Sequence, residues 1–236
     1  MLKKFLNKLY RDAVDLNHKN IIDLFTVMPQ AQLLDLGCDD GVFSRKIAAK
    51  IKTNSITGVE IVPSRIELAK KNGLEIVSFD LNQHFTFPDN HFDVIHANQV
   101  IEHLTDSDNF LQEIYRVLKP GGYAVISTEN LSSWCNIFAS LMGWQVFSLT
   151  NFSHKALSIG NPFSLHRGQP VDFASWNHVR IYNIFGLKEY FTIFGFKVEK
   201  IAGSGYFPLP AIFGKIDYIH SHFITFKIRK PLKINH

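Results

Sequence analysis

Acidic and imidazole side chains stand where buried apolar runs end: in "LLDLGCDDG" (Leu33 to Gly41), at Glu60 and Asp80, and at His103 and His178. An apolar run entering a glycine turn is the usual seat of a nucleotide in a parallel α/β sheet. Counted from Gly37, however, the dinucleotide fingerprint requires glycine where this chain has Asp39 and Val42. Asp39 and Asp40 would also set like charges against a phosphate in a poorly screened site. No Gly-Lys-Ser/Thr occurs, so a Walker loop is excluded as well.

A nucleoside ligand without phosphate and with a cationic centre reverses the sign of that argument, and S-adenosylmethionine is such a ligand. Its ammonium would find Asp35 and Asp39 favourable neighbours, while Gly37 and Gly41 let the chain turn tightly beneath the methionine part. Glu60 ends the second apolar run, where a carboxylate can accept both ribose hydroxyls. Asp80, just beyond the third run, is placed to meet the adenine amino group.

These residues need a rigid frame. The chain has 236 residues, 46% of them apolar, which suffices for one sizeable core. From Gln32 short apolar runs alternate with helical periods, the pattern of a parallel sheet covered by helices. Strands are expected at 32–36, 55–60, 74–78, 92–97 and 123–128, and helices at 42–51, 64–72 and 106–118. Ser64 and Glu67 suggest a capping box, Asp106 and Asp108 suit a helix start, and Lys119 to Gly122 read as a helix stop and turn. Two further strands at 196–203 and 221–230 follow a helix with the stripe Ile184, Leu187, Phe191 and Phe194; the last strand alternates as an edge hairpin would. The fold class expected is therefore α/β: a Rossmann-like, doubly wound, mostly parallel seven-stranded sheet with an antiparallel edge hairpin. Residues 1–29 form an N-terminal helical segment, and 30–236 form the main domain. The stretch 131–178, with Trp134, Trp144 and Trp176 and little strand character beyond a helix at 132–143, reads as a lid over the substrate.

In this order and spacing the chain resembles the class I S-adenosylmethionine-dependent methyltransferases, in particular the small-molecule branch related to quinone-biosynthesis enzymes. The runs that carry the resemblance are "LLDLGCDDG", "TGVEI", "VSFDLNQHFTFPDNHFDVIHANQVIEHL", "FLQEIYRVLKPGGYAVIST" and "HVRIYNIFGLKEYFTIFGFKVEKI". The resemblance implies that Asp35, Gly37, Cys38 and Gly41 contact the methionine part, Glu60 and Ile61 the ribose, Asp80 and Leu81 the adenine, and Asn98 the region beside the sulfonium. It departs at Asp39, where the family usually has glycine, and at Gln99. Some quinone-branch enzymes carry a glutamate there, beside the equivalents of Glu102 and His103, and hold a divalent metal. With Gln99 one anionic ligand is lost, so no metal is expected.

Methyl transfer to a hydroxyl of high pKa calls for a base, and His178 and His103 are the candidates, ahead of His154 and His166 in the lid. A loop hydrogen bond for His103 and a lid latch for His178 are the plainer readings. The expected function is methylation of a small-molecule acceptor, with oxygen favoured: a hydroxylated lipid, quinone precursor, glycan or secondary metabolite. An RNA or protein methyltransferase is the competing reading; against it, the strand end reads "HANQ" rather than Asn/Asp-Pro-Pro-aromatic, and the charge of +4 is too scattered for a nucleic-acid footprint. A catalytically silent cofactor-binding scaffold is a third. Cys38 and Cys135 show no disulfide or metal spacing, and the N-terminus lacks the apolar core of a signal peptide, so a cytoplasmic setting is expected. "YFPLPAIFG" and the basic tail at Lys227, Arg229, Lys230 and Lys233 could touch a membrane surface.

Overall fold

The apolar runs after Gln32 do pair side by side in the computed structural model, which describes residues 2–153, 155–167 and 177–232. They form β1 (Leu33–Leu36), β2 (Ile56–Val59), β3 (Glu75–Val77), β4 (Phe92–Asn98) and β5 (Leu118–Glu129), all parallel. β6 (Lys197–Ser204) and β7 (Phe223–Arg229) complete a seven-stranded sheet of order β3-β2-β1-β4-β5-β7-β6, with β7 antiparallel to both neighbours.

Helices cover both faces because side chains alternate across each strand. α1 (Leu2–Leu24), α2 (Val42–Ile51) and α3 (Pro63–Lys71) pack Ile21, Ile47 and Ala69 with Leu33, Val94 and Val125 on one face. On the other, α4 (Ser107–Val117) and α6 (Ile184–Ile193) pack Phe110, Ile114 and Phe191 with Leu34, Ile95 and Ile126. Two short helices, α5 (Trp134–Leu141) and α7 (Phe213–Ile216), flank the C-terminal ends of the strands. The α1 face also carries a polar layer: Asn17 Nδ2 donates to Ser127 Oγ (3.1 Å), and Asn17 Oδ1 accepts from Thr225 Oγ1 (2.9 Å). These bonds satisfy both ends of a buried amide and fix α1 above the strands that bear the site.

Local sequence signals fared unevenly. Asp106 caps α4 as expected, accepting from Asn109 N–H at 2.9 Å. The capping box at Ser64 and Glu67 does not form; Val62 is the N-cap with no side-chain bond, because Glu60 takes the Val62 N–H at 2.9 Å and Pro63 has no N–H to satisfy. Lys119 to Gly122 lie within β5, at an irregular pairing with β4, instead of in a separate turn. β7 is not the outermost strand: held between β5 and β6 and covered on both faces, it is buried nearly throughout, and β6 is the edge.

That placement also consumes the basic tail. Lys227 Nζ donates to Leu24 O (3.0 Å) at the negative end of α1 and sits 4.1 Å from the Tyr123 ring centroid. Lys230 Nζ donates to the carbonyls of Tyr115 and Leu118 (both 2.7 Å), and Arg229 pairs with Glu199. Lys227, Arg229 and Lys230, three of the four tail charges, are thus engaged within the fold, while Lys233 lies outside the described residues. No described helix is long and apolar enough to cross a membrane.

Candidate active site

The glycine turn after β1 is built for a close backbone approach. Gly37 and Gly41 adopt φ of +73° and +78°, and a Cβ on Gly37 would stand 2.7 Å from Val100 Cγ2. Gly37 and Cys38 both donate their N–H to Val59 O, at 2.8 and 3.0 Å, which ties the turn to the end of β2. Asp39 is left-handed too, at φ 51°, and its carboxylate is paired with Arg65 Nε at 3.1 Å. Asp40 Oδ1 accepts the Val42 N–H (3.0 Å), satisfying a free donor of the first turn of α2.

Glu60 holds the neighbouring backbone in place. Oε1 accepts from Ile61 and Val62 N–H at 2.8 and 2.9 Å, and Oε2 from Asp39 N–H at 3.0 Å, so one carboxylate joins the β1 and β2 turns while keeping lone pairs for hydroxyl donors. Asp80 Oδ1 is fixed in the same way by Asn82 N and Nδ2 (2.9 and 2.8 Å). Asn82 Oδ1 in turn accepts from Thr105 and Asp106 N–H, locking the β3 and β4 loops together.

A cavity of about 1560 Å³ opens over these strand ends. Of the residues expected to contact the cofactor, Gly37, Asp39, Glu60, Ile61, Asp80, Leu81 and Asn98 line it. Asp35, Cys38 and Gly41 do not. Asp35 is 2% exposed and accepts from Ser44 Oγ (2.5 Å) while His96 Nδ1 lies 2.7 Å from its other oxygen, so its carboxylate braces the loop from below. Cys38 is buried with its thiol pushed up by burial, and it packs under Gly58, whose added Cβ would meet the sulfur at 2.6 Å.

The same cavity also holds the histidines. His103 and His178 both line it, with ring centroids 4.8 Å apart. His103 Nδ1 donates to Asn177 O (3.0 Å) and His178 Nδ1 to Ser148 O (2.7 Å); a carbonyl can only accept, so both imidazoles are fixed with Nε2 lacking that proton when neutral. Burial and the neighbouring His178 push His103 down to about 4. Glu102, with none of its surface exposed, takes Thr128 Oγ1 on Oε2 (2.9 Å) and has no partner on Oε1 among the described residues; burial raises its carboxyl to about 7. One ligand atom each of Glu102, His103 and His178 lie within 4.8 Å of one another, a set with the chemistry for a divalent cation although the sequence argued against a metal. His166 lines the cavity, whereas His154 and Trp176 lie outside the described residues.

Several lining residues escaped the sequence reading: Tyr10 of α1, Glu129 at the end of β5, Cys135, and His222 just before β7. Glu129 had a signal, since it ends a buried parallel strand as Glu60 does. Tyr10 and His222 had none, because their approach to the site depends on how α1 and β7 lie across the sheet.

The residues present suit an adenosyl ligand with a cationic centre: a turn from which side chains are excluded, a fixed carboxylate at each of two successive strand ends, and Arg65 neutralised by Asp39. Comparison with known proteins agrees. A family model described as a methyltransferase domain matches residues 5–201. A 24-methylenesterol C-methyltransferase of Arabidopsis thaliana is 33% identical over 138 residues, covering 53% of this chain and 38% of its own length. A ubiquinone biosynthesis O-methyltransferase of Rickettsia prowazekii is 29% identical over 122 residues, covering 48% of each chain. The chain thus spans less than half the length of these two relatives. Among solved structures, an S-adenosylmethionine-dependent methyltransferase of Mesorhizobium loti superposes with a TM-score of 0.60 at 16% identity, covering 89% of this chain and 96% of that one. A methyltransferase of Thermotoga maritima superposes with a TM-score of 0.63 at 18% identity, covering 97% of each. The match over residues 5–201 makes this chain a member of the methyltransferase-domain family, with the class I fold whose cofactor is S-adenosylmethionine.

Proposed function

We propose that this protein transfers the methyl group of S-adenosylmethionine to a hydroxyl of an amphipathic small molecule, with His178 taking the proton. The observation that carries the reading is a single cavity running from Gly37, Glu60 and Asp80 to the His103–His178 pair. Its volume of about 1560 Å³ exceeds the roughly 300–1,000 Å³ typical of a pocket for one drug-sized ligand, which leaves room for an acceptor beside the cofactor. Trp134, Phe138, Phe147, Phe163 and Phe207 line the acceptor end, which favours an apolar body on the acceptor. Relatives named for sterol and ubiquinone chemistry point the same way.

S-adenosylmethionine, when bound, supplies a methyl group on a sulfonium that an oxygen lone pair can displace. The chain's part is to align that oxygen, exclude water with the 131–178 segment, and remove the proton. His178 Nε2 has the free lone pair for that step, while Ser148 O holds the ring from its other side. We read Glu102, His103 and His178 as proton-handling groups and not as ligands of a required metal.

The test is transfer of labelled methyl from S-adenosylmethionine to alkyl catechols and alkyl hydroquinones of increasing chain length, with S-adenosylhomocysteine binding measured by calorimetry. Product that increases with chain length supports the reading. Tight S-adenosylhomocysteine binding with no transfer to any hydroxylated acceptor would favour a silent cofactor-binding protein.

A further inference from the structure

Glu129 is the least explained group in the cavity. It ends β5 and lines the cavity together with Tyr10, His103, Cys135, His178 and His222. The Ser148 hydroxyl, which accepts from Asn136 Nδ2 at 2.8 Å, favours the ionised form of Glu129. Burial alone would raise its carboxyl, but His222, His178 and the Ser148 hydroxyl together hold it below the ordinary carboxylate value, so it is an anion at neutral pH.

Among the described residues no Lys or Arg is paired with it. Arg65 is the one Lys or Arg among the described lining residues, and it serves Asp39 at the cofactor end. The groups that act on Glu129 are the imidazoles of His222, His178 and His103, and of these the buried His222 and the half-buried His103 are held below the ordinary imidazole value. An ionised carboxylate in an aromatic-walled cavity is costly unless a ligand completes it.

We propose that Glu129 is the specificity-determining residue of the acceptor lobe and binds a cationic, hydrogen-bond-donating group, an ammonium, on the acceptor's polar head. The inference rests on the reading of the aromatic lobe as an acceptor site. An ammonium gains both the Coulomb attraction and a charge-assisted hydrogen bond, and the surrounding rings offer their faces to a cation. A carboxylate or phosphate head in the same place would oppose Glu129 in a poorly screened site. The pocket therefore selects by charge at the head and by apolar contact along the tail.

The test uses probes of one tail length, decylammonium, decyl maltoside and decanoate, each below its micelle-forming concentration. They are titrated into protein saturated with S-adenosylhomocysteine, and binding is read by tryptophan fluorescence and calorimetry. The expected order is decylammonium tightest and decanoate weakest, at least about tenfold apart. In Glu129→Gln that gap closes while S-adenosylhomocysteine affinity is retained. Equal affinities in the wild-type protein would overturn the assignment of Glu129 yet leave the apolar lobe standing. A gap that persists in Glu129→Gln would also overturn it, since other carboxylates would then make the selection. Failure of all three probes to bind would remove the acceptor-lobe reading itself.

Discussion

His103 and His178 meet edge to face, with ring centroids 4.8 Å apart and interplanar angle 72°, each donating Nδ1–H to a backbone carbonyl from a different loop. One ring comes from the turn after β4 and the other from the C-terminal end of the 131–178 segment, yet the backbone sets the tautomer of both. Their Nε2 lone pairs are therefore available before any ligand arrives.

His178→Asn keeps a donor toward Ser148 O but has no basic lone pair. Methyl transfer should fall by roughly 10²–10⁴-fold, the usual worth of a positioned base, with S-adenosylhomocysteine affinity unchanged. Equal rates in wild type and variant would remove His178 from the chemistry.

The same lone pairs make the site sensitive to soft divalent ions. Micromolar Zn²⁺ should inhibit by engaging Glu102, His103 and His178, and EDTA should restore the rate without lowering it in untreated enzyme. A rate that drops with EDTA alone would show that a metal is required.

Glu60→Ala removes the acceptor for the Asp39, Ile61 and Val62 N–H groups as well as the expected ribose contacts. Hydrogen bonds to a charged group contribute about 1.5–3 kcal/mol each, so S-adenosylhomocysteine affinity should weaken by at least about 10²-fold in calorimetry. A change under about threefold would place the ribose elsewhere.

Gly37→Ala combines a left-handed backbone with a Cβ 2.7 Å from Val100 Cγ2. Chemical denaturation should show a loss of about 1–3 kcal/mol, with weakened adenosyl binding. Unchanged stability would mean that Val100 yields freely.

Glu102 predicts a pH signature. Its folded carboxyl, raised by burial to about 7, lies above the model-peptide value of 4.5, so the folded state binds the extra proton between those limits. Stability from this group is present below the unfolded value and is lost as pH rises through about 7. Glu102→Gln keeps the neutral form at every pH. It should be more stable than wild type at pH ~8, by up to about 3 kcal/mol, and equal to it at pH ~4. A constant difference across that range would exclude the titration.

What the sequence determined by itself is the local and periodic part of this protein. Apolar runs such as "LLDL" and "FDVIHA" became β1 and β4 because a strand buried on both faces has few other options. Glu60 and Asp80 could be placed because a residue just past a parallel strand must emerge at the sheet's C-terminal edge. The turn at Gly37 was legible for the same reason, being fixed by residues adjacent in the chain.

The tertiary structure decided everything that depends on which distant elements meet. Asp35 sits on the face where His96 and Ser44 bury it, a consequence of β1–β4 register that no local pattern reports. Lys227 and Lys230 became internal cations only because β7 inserts between β5 and β6. The cavity draws Tyr10, Glu129, His178 and His222 from across the chain. Their shared field exists only once the low-dielectric cavity around them has closed, because Coulomb terms between groups so far apart in sequence are screened away in the unfolded chain.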